Sequence, residues 1–522
     1  MARRQEVYTA RRRPASGDGR RADGGEKELL PRKIVVQEEE KKEGGRTAAA
    51  SSAGTGKRAA SAAAKAKTAK SGTVRAAPGK AAPRRTQKQK QRERQKRDAM
   101  YRDRRRAVRR GADFGVTVIA LLTAAFEAMG LLLAALRTQG ALDTQALALL
   151  AAMVPLGLAT TLLLPRALPI DSLIMALTNF LCGVSVVILY TVSPERGVRQ
   201  TVFYAAGLAV MLLAAGIVSR KRRWKGLTLL SMVLGIAALV LPLLFGEWNN
   251  GAKNWVSVPG LGSFQPSELV KLSVVLTLAY YFSAHRTVAQ MMPAILFAGA
   301  CLLLLMLQRD LGTALIYYLT TLVLFYVACG NVPLTVLGIG GGAAAAVMGY
   351  QMFAHVKVRV AMWKNPWSDP LDKGYQIIQA LLAIGSGGLF GVGLGQGTPE
   401  KIPAYYNDFI FAVICEQLGL VFGVLLLAVY VLLILRGVTV MGRSRRSYDM
   451  LLGCGVLAML AIQTFMIVAG VIKMLPLTGV TMPFLSYGGS SLLSCLSMIG
   501  ILHGIAARAQ EDLEEDVLSI KA

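Results

Sequence analysis

"NDFIFAVICEQLGLVFGVLLLAVYVLLILRGVTVMGRSRR", residues 407–446, opens on an amide and a carboxylate, continues as an apolar run, and closes on Arg436, Arg443, Arg445 and Arg446. A run of this length crosses a hydrocarbon core of roughly 30 Å as a helix, which satisfies its own backbone polar groups. Basic residues near the ends of such helices stay in the cytoplasm. The stretch therefore reads as a membrane span with a cytoplasmic basic end, and its Asn407-Asp408 mouth opens on the other face.

The pattern recurs along the chain. From Ala112 onward apolar stretches of about 18 to 25 residues follow one another, which predicts roughly twelve spans. They lie near 113–137, 145–165, 170–193, 200–219, 226–246, 267–284, 290–308, 311–329, 333–354, 408–436, 450–472 and 484–508. The fold class is an all-α polytopic membrane protein. "RKRRWK" at 220–225, "RGVTVMGRSRR" at 436–446, the basic N-terminal segment and the C-terminal tail 509–522 fall on one side of this arrangement. An even number of spans puts both termini in the cytoplasm. Two longer segments, 247–266 and 355–407, are left outside, facing the same space as Asp408.

The composition agrees. With 53% hydrophobic residues and a net charge of +28, apolar and basic character must be segregated. Residues 1–111 contain no apolar run, only stretches such as "KRAASAAAKAKTAK", and such a segment is expected to be disordered. Nothing in it resembles a cleaved signal peptide. The six cysteines all lie in or at the edge of apolar spans, so neither disulfides nor a metal-type Cys or His cluster is expected.

Charged groups that persist in or beside spans are the candidates for chemistry. Asp408 has two readings: an N-cap of the helix that follows it, or a general base at the lipid–water boundary. Glu268 and Lys271 in "SFQPSELVKL" share a helix face, as an interfacial ion pair or as a lysine contact for an anionic headgroup held by the glutamate. "NGAKNW" adds Lys253 and Trp255, the latter a natural interfacial anchor. "QRDLG" at 308–312 reads as a tight outer hairpin closed by an Arg309–Asp310 pair, and Glu127 and Glu416 as deeper acids hydrogen-bonded within the bundle. In the long outer segment, Arg359, Lys364, Lys373 and Lys401 could add positive charge for a phosphate-bearing substrate, and the glycine run could approach a ligand closely. That run lacks dinucleotide-fold spacing. "LPLTGVTMPFLSYGGSSLL" at 475–493 brings small residues to the mouth of the last span, for helix packing or for irregular backbone along a cavity.

Taken together, "NGAKNW", "FQPSELVKL", "QRDLGTAL", "NPWSDPLDKGYQIIQ", "AIGSGGLFGVGLG", "NDFIFAVICEQLG" and "LPLTGVTMPFLSYGGSS" resemble the SEDS (shape, elongation, division and sporulation) family, which includes RodA and FtsW, across about residues 170–508. The "QRDLG" stretch and short spacing lean towards RodA. The family usually has about ten spans, so the pair within 112–169 reads as an added N-terminal module. The family also commonly carries Gln-Pro-Asp-Leu-Gly where this chain has Arg309, which leaves the shape of that turn open.

The resemblance implies a bacterial plasma-membrane glycosyltransferase that polymerises lipid II, a disaccharide-peptide on undecaprenyl pyrophosphate, for elongation or division. It makes Asp408 the catalytic residue. It points to Lys253, Trp255, Glu268, Lys271, Arg359, Gln379, Ser486, Tyr487, Gly488, Gly489 and Ser490 as substrate-binding. No protein metal site is implied; a divalent cation, Mg or Mn, held with the substrate diphosphate is the one cofactor considered, and no organic cofactor. The expected partner is a class B penicillin-binding transpeptidase. The basic tail suits anionic inner-leaflet lipids; nucleic acid would attract it too but is not expected as a partner. A lipid II flippase and a non-catalytic scaffold for the transpeptidase are the alternatives.

Overall fold

In chain order the helices of the computed structural model are α1 (Phe114–Leu136), α2 (Thr144–Ala167), α3 (Ser172–Val192), α4 (Pro194–Arg220), α5 (Lys225–Phe245), α6 (Pro266–Ala284), α7 (Val288–Leu307), α8 (Leu311–Cys329), α9 (Val332–Met352), α10 (Ala354–Lys364), α11 (Tyr375–Gly387), α12 (Ile410–Met441), α13 (Ser447–Val471) and α14 (Gly489–Ser519). Eleven of these are long and apolar enough to cross a membrane. The others are the short α10 and α11, and α6, whose charged pair makes it less apolar. The structure describes residues 114–136, 143–249, 252–258, 262–284 and 287–519, so the tail expected over 1–111 lies outside the described residues.

Local signals set the helix ends. Asp143, Asp171, Asp310 and Asn331 each accept a backbone N–H in the first turn of α2, α3, α8 and α9. Proline at the first positions of α4 and α6 loses no hydrogen bond there. α4 thus begins at Pro194 and not near 200: its first two turns are charged and carry no apolar signal. α14 likewise starts later than expected, at Gly489, and continues through the segment expected as a tail.

α3, α13 and α14 form the centre and are largely buried, while α9 buries no residue and meets the rest mainly through α8. α4 and α14 pack closely because Gly500 has no side chain: a Cβ there would stand 2.2 Å from the Met211 carbonyl oxygen. One end of the bundle is tied by ion pairs between Arg436 and Asp171 (2.7 Å), Arg508 and Asp449 (2.6 Å), and Arg446 and Asp512 (2.9 Å). That end carries the basic loops. The opposite end carries Asp408.

The two long segments at the Asp408 end are more structured than the sequence suggests. Residues 247–264 form a three-stranded antiparallel sheet of β1 (Glu247–Asn249), β2 (Ala252–Val258) and β3 (Gly262–Phe264), with Glu247 opposite Trp255 and Val256 opposite Phe264. The segment 355–407 is not a simple outer loop. α11 leads its glycine run down beside α12 to a break at Gly419, where φ is 85°. There Val392 N–H donates to the Glu416 carbonyl (2.9 Å) and Leu420 N–H to the Gly388 carbonyl (2.9 Å). Gly419 lies nine residues into α12, roughly 13 Å along it, so these glycines satisfy an opened helix turn at depth.

Candidate active site

The α4, α8 and α14 N-termini, β2, α10 and the loops 404–408 and 478–488 converge on one cavity of about 580 Å³. Asp408 borders it. The turn from Ala404 holds the aspartate, since the N–H groups of Asn407 and Asp408 both donate to the Ala404 carbonyl (3.0 and 3.2 Å). A second loop clamps the first: Ser486 Oγ donates to the Asn407 carbonyl (2.6 Å), and Tyr487 N–H to the Tyr406 carbonyl (2.8 Å).

The capping reading of Asp408 is the one that fails. The residue before α12 is Phe409, and no side chain caps that helix. The Asp408 carboxylate therefore keeps its lone pairs for the cavity. Burial pushes its pKa up to about 6, against the opposing pull of the Arg359 guanidinium. The two groups flank Gly479: a Cβ on that residue would stand 3.6 Å from Asp408 Oδ2 and 3.8 Å from Arg359 Nη2, and its φ of 70° suits glycine.

Four arginines line the cavity: Arg196, Arg199, Arg309 and Arg359. Arg196 donates to Tyr405 OH (2.6 Å) and lies over the Tyr406 ring at 3.8 Å. Arg199 pairs with Glu195 (2.6 Å), and Arg359 donates to the Thr478 carbonyl (3.2 Å). His355 registers the field: burial first, then Arg359 and Arg309, hold its pKa below the usual value. Glu195, Asp310 and Asp408 line the cavity as well, so the four guanidinium groups leave it a slight positive excess.

Residues 171–511 match the family model described as "Cell cycle protein", that of FtsW, RodA and SpoVE. The chain belongs to this family. It is a multi-pass membrane protein. "Peptidoglycan glycosyltransferase RodA" of Mycobacterium tuberculosis H37Rv is 34% identical over 338 residues, covering 60% of this chain and 71% of the relative. "Stage V sporulation protein E" of Bacillus subtilis is 32% identical over 361 residues, covering 64% and 96%. "Probable peptidoglycan glycosyltransferase FtsW" of Geobacter sulfurreducens is 35% identical over 320 residues, covering 59% and 85%. Among solved structures, a chain from work on polymerization and crosslinking by a peptidoglycan synthase complex superposes with a TM-score of 0.56 at 28% identity, over 66% of this chain and 99% of that one. A mutant of the rod shape determining protein RodA from Thermus thermophilus gives 0.50 at 28% identity, over 65% and 97%. The family match begins at α3, after α1 and α2.

Of the residues that the resemblance makes catalytic or substrate-binding in this FtsW/RodA/SpoVE chain, Asp408, Trp255, Arg359, Tyr487, Gly488 and Gly489 line the cavity. The others do not. Lys271 is a correction: its ammonium is buried, bound to Glu268 (2.7 Å) and Gln463 Oε1 (2.8 Å), so it meets no headgroup. Glu268 is correspondingly structural, its carbonyl accepting from Ser494 Oγ (2.7 Å). Lys253 Nζ donates to the Leu243 carbonyl (2.8 Å) and caps the end of α5. Ser486 serves the clamp, Ser490 Oγ accepts from Gln265 N–H (3.4 Å), and Gln379 lies half-buried on α11 away from the cavity.

One further reading is corrected, and that of Glu416 as a hydrogen-bonded deep acid holds. Asp310 does not pair with Arg309; it accepts from Asn254 and Gln265 (2.9 Å each) and caps α8. Glu416 Oε1 accepts from Thr398 N–H (3.0 Å) and pins the glycine run, while Glu127 lies buried against Gly183 of α3. The reading of the sequence passed over Arg196, Arg199 and Tyr406. A signal existed for the first two, since arginines on the face opposite the basic loops run against the usual charge asymmetry.

Proposed function

We propose that the chain is a peptidoglycan glycosyltransferase that polymerises lipid II into β-1,4 glycan strands at the outer face of a bacterial plasma membrane, both termini being cytoplasmic. The observation that carries this is the uncapped Asp408 carboxylate opening into an arginine-lined cavity, at the end of the bundle away from its basic loops. A carboxyl with a pKa of about 6 is ionised at neutral pH and still basic enough to take a proton as a bond forms.

In this reading Asp408 accepts the proton of the acceptor's sugar 4-hydroxyl. The hydroxyl oxygen bonds to the anomeric carbon of the donor, the bond from that carbon to the diphosphate oxygen breaks, and the diphosphate leaves with the electron pair. Displacement of an α-linked phosphate gives the β product in one inversion, so one carboxylate suffices. Arg359, beside Asp408, faces the charge that grows on the leaving group. Among the described residues no three His, Cys, Asp or Glu side chains converge. In this reading a divalent cation would be held with the diphosphate of the substrate.

A flippase reading finds less support, because the polar cavity is gathered at one end and the deeper Glu416 is engaged in holding backbone. The partner that fits the reading is a class B penicillin-binding transpeptidase, in line with the complex that coordinates polymerization and crosslinking in the structural neighbour. The test is Asp408→Asn in purified protein given lipid II. Polymer formation is expected to fall by about two to four orders of magnitude with thermal stability unchanged. Wild-type rates from the folded variant refute the assignment.

A further inference from the structure

Three of the cavity arginines are committed to neighbours: Arg196 to Tyr405, Arg199 to Glu195 and Arg359 to the Thr478 carbonyl. Arg309 is placed differently. It sits on the turn between α7 and α8 with φ 62°, exposed at the cavity rim, and its guanidinium carbon lies 4.8 Å from the centroid of the Trp248 ring. Its neighbour's carboxylate is not available to it, since Asp310 accepts from Asn254, Gln265, Ser267 and the Thr313 N–H. A guanidinium stacked on an indole is held in orientation while its in-plane N–H fork stays free for an oxyanion.

The turn holds Arg309 through its backbone. The Arg309 N–H donates to the Met306 carbonyl (3.0 Å). Proline could neither donate there nor adopt the positive φ. The side chain carried on this turn reaches the rim of the cavity.

We propose that Arg309, braced by Trp248, contacts the diphosphate of the lipid-linked substrate and sets affinity for it. This rests on the polymerase reading above. Arg359, and not Arg309, flanks Asp408; from the rim Arg309 meets the phosphate remote from the breaking bond, whose charge changes little on reaction, so the contact shows in KM, not in kcat.

The test compares full-length wild type with Arg309→Asn, which tolerates the left-handed backbone, and with Arg309→Gly, which suits it best. KM for lipid II rises roughly tenfold or more while kcat stays within about twofold, the loss expected for a charged hydrogen bond. Trp248→Leu raises KM in the same direction, and adding it to Arg309→Asn brings no further rise. Calorimetric titration with inorganic pyrophosphate, independent of turnover, shows binding weakened by a similar factor in both Arg309 variants. Unchanged KM in either folded variant overturns the proposal, as does a raised KM with pyrophosphate binding unaltered. A wild-type protein that makes no polymer overturns the polymerase reading instead, and the pyrophosphate titration then still decides for or against Arg309.

Discussion

Replacing Arg359 by glutamine should move the acid limb of polymerisation to higher pH. Asp408 Oδ2 and Arg359 Nη2 approach the same point beside Gly479, at 3.6 and 3.8 Å, so they lie within about 7.4 Å of each other. At roughly 7 Å, an effective dielectric of about 40 to 80, between that of a protein surface site and bulk water, gives an attraction of about 0.6 to 1.2 kcal/mol. At about 1.4 kcal/mol per pKa unit, that is roughly half to one unit. The sign follows from the charge: Arg359 favours the carboxylate, so its loss makes Asp408 harder to ionise. In wild type, with a pKa of about 6, roughly a tenth of the base is ionised at pH 5 and nine-tenths at pH 7. The log of kcat/KM should therefore climb with unit slope through pH 5 and flatten above 7. Arg359→Gln should bend roughly half to one unit later, whatever its plateau. The assay is the initial rate of glycan formation from lipid II in detergent from pH 5 to 8. Arg359 also faces the diphosphate, so a lower plateau alone is uninformative; the position of the bend is what matters. A bend that stays at wild-type pH, or moves downward, refutes the placement of Arg359 beside an ionising Asp408.

Gly479→Ala puts a β-carbon into a residue at φ 70°, at a strain of about 1 to 2 kcal/mol. The methyl also occupies the space between Asp408 and Arg359, and kcat/KM should drop roughly tenfold to a hundredfold, a loss that a small fall in melting temperature would not account for. Lys271→Met leaves Glu268 buried without its cation and should destabilise by about 3 to 5 kcal/mol, read as a lower melting temperature. Replacing Glu268 and Lys271 together with apolar residues should restore most of that stability. A headgroup role for Lys271 would instead leave stability alone and raise KM.

The spans were legible because burying an apolar helix in lipid depends on local composition and length, both written in consecutive residues. The acid at 408 was legible as a position, and the parity of the crossings put the segments around 255, 359 and 408 on one side, but not in one cavity. What each charged side chain does was not. Lys271 and Arg359 look alike in sequence, each a cation near the mouth of a helix. Only packing turns one inward to Glu268 and Gln463 and brings the other to Asp408. The same holds for Asp408 itself, where a helix cap and a carboxylate left open to a cavity call for the same residue and only the backbone path at Phe409 separates them. The glycine run is a further case, since φ at Gly419 and the pairing with 388–393 join residues far apart in the chain. By itself the sequence determined the class of the protein, its crossings and the place of its acid, because those are governed by the free energy of one segment at a time. The tertiary structure alone decided which charges are paired and which are free, because pairing depends on distances between segments that no local pattern encodes.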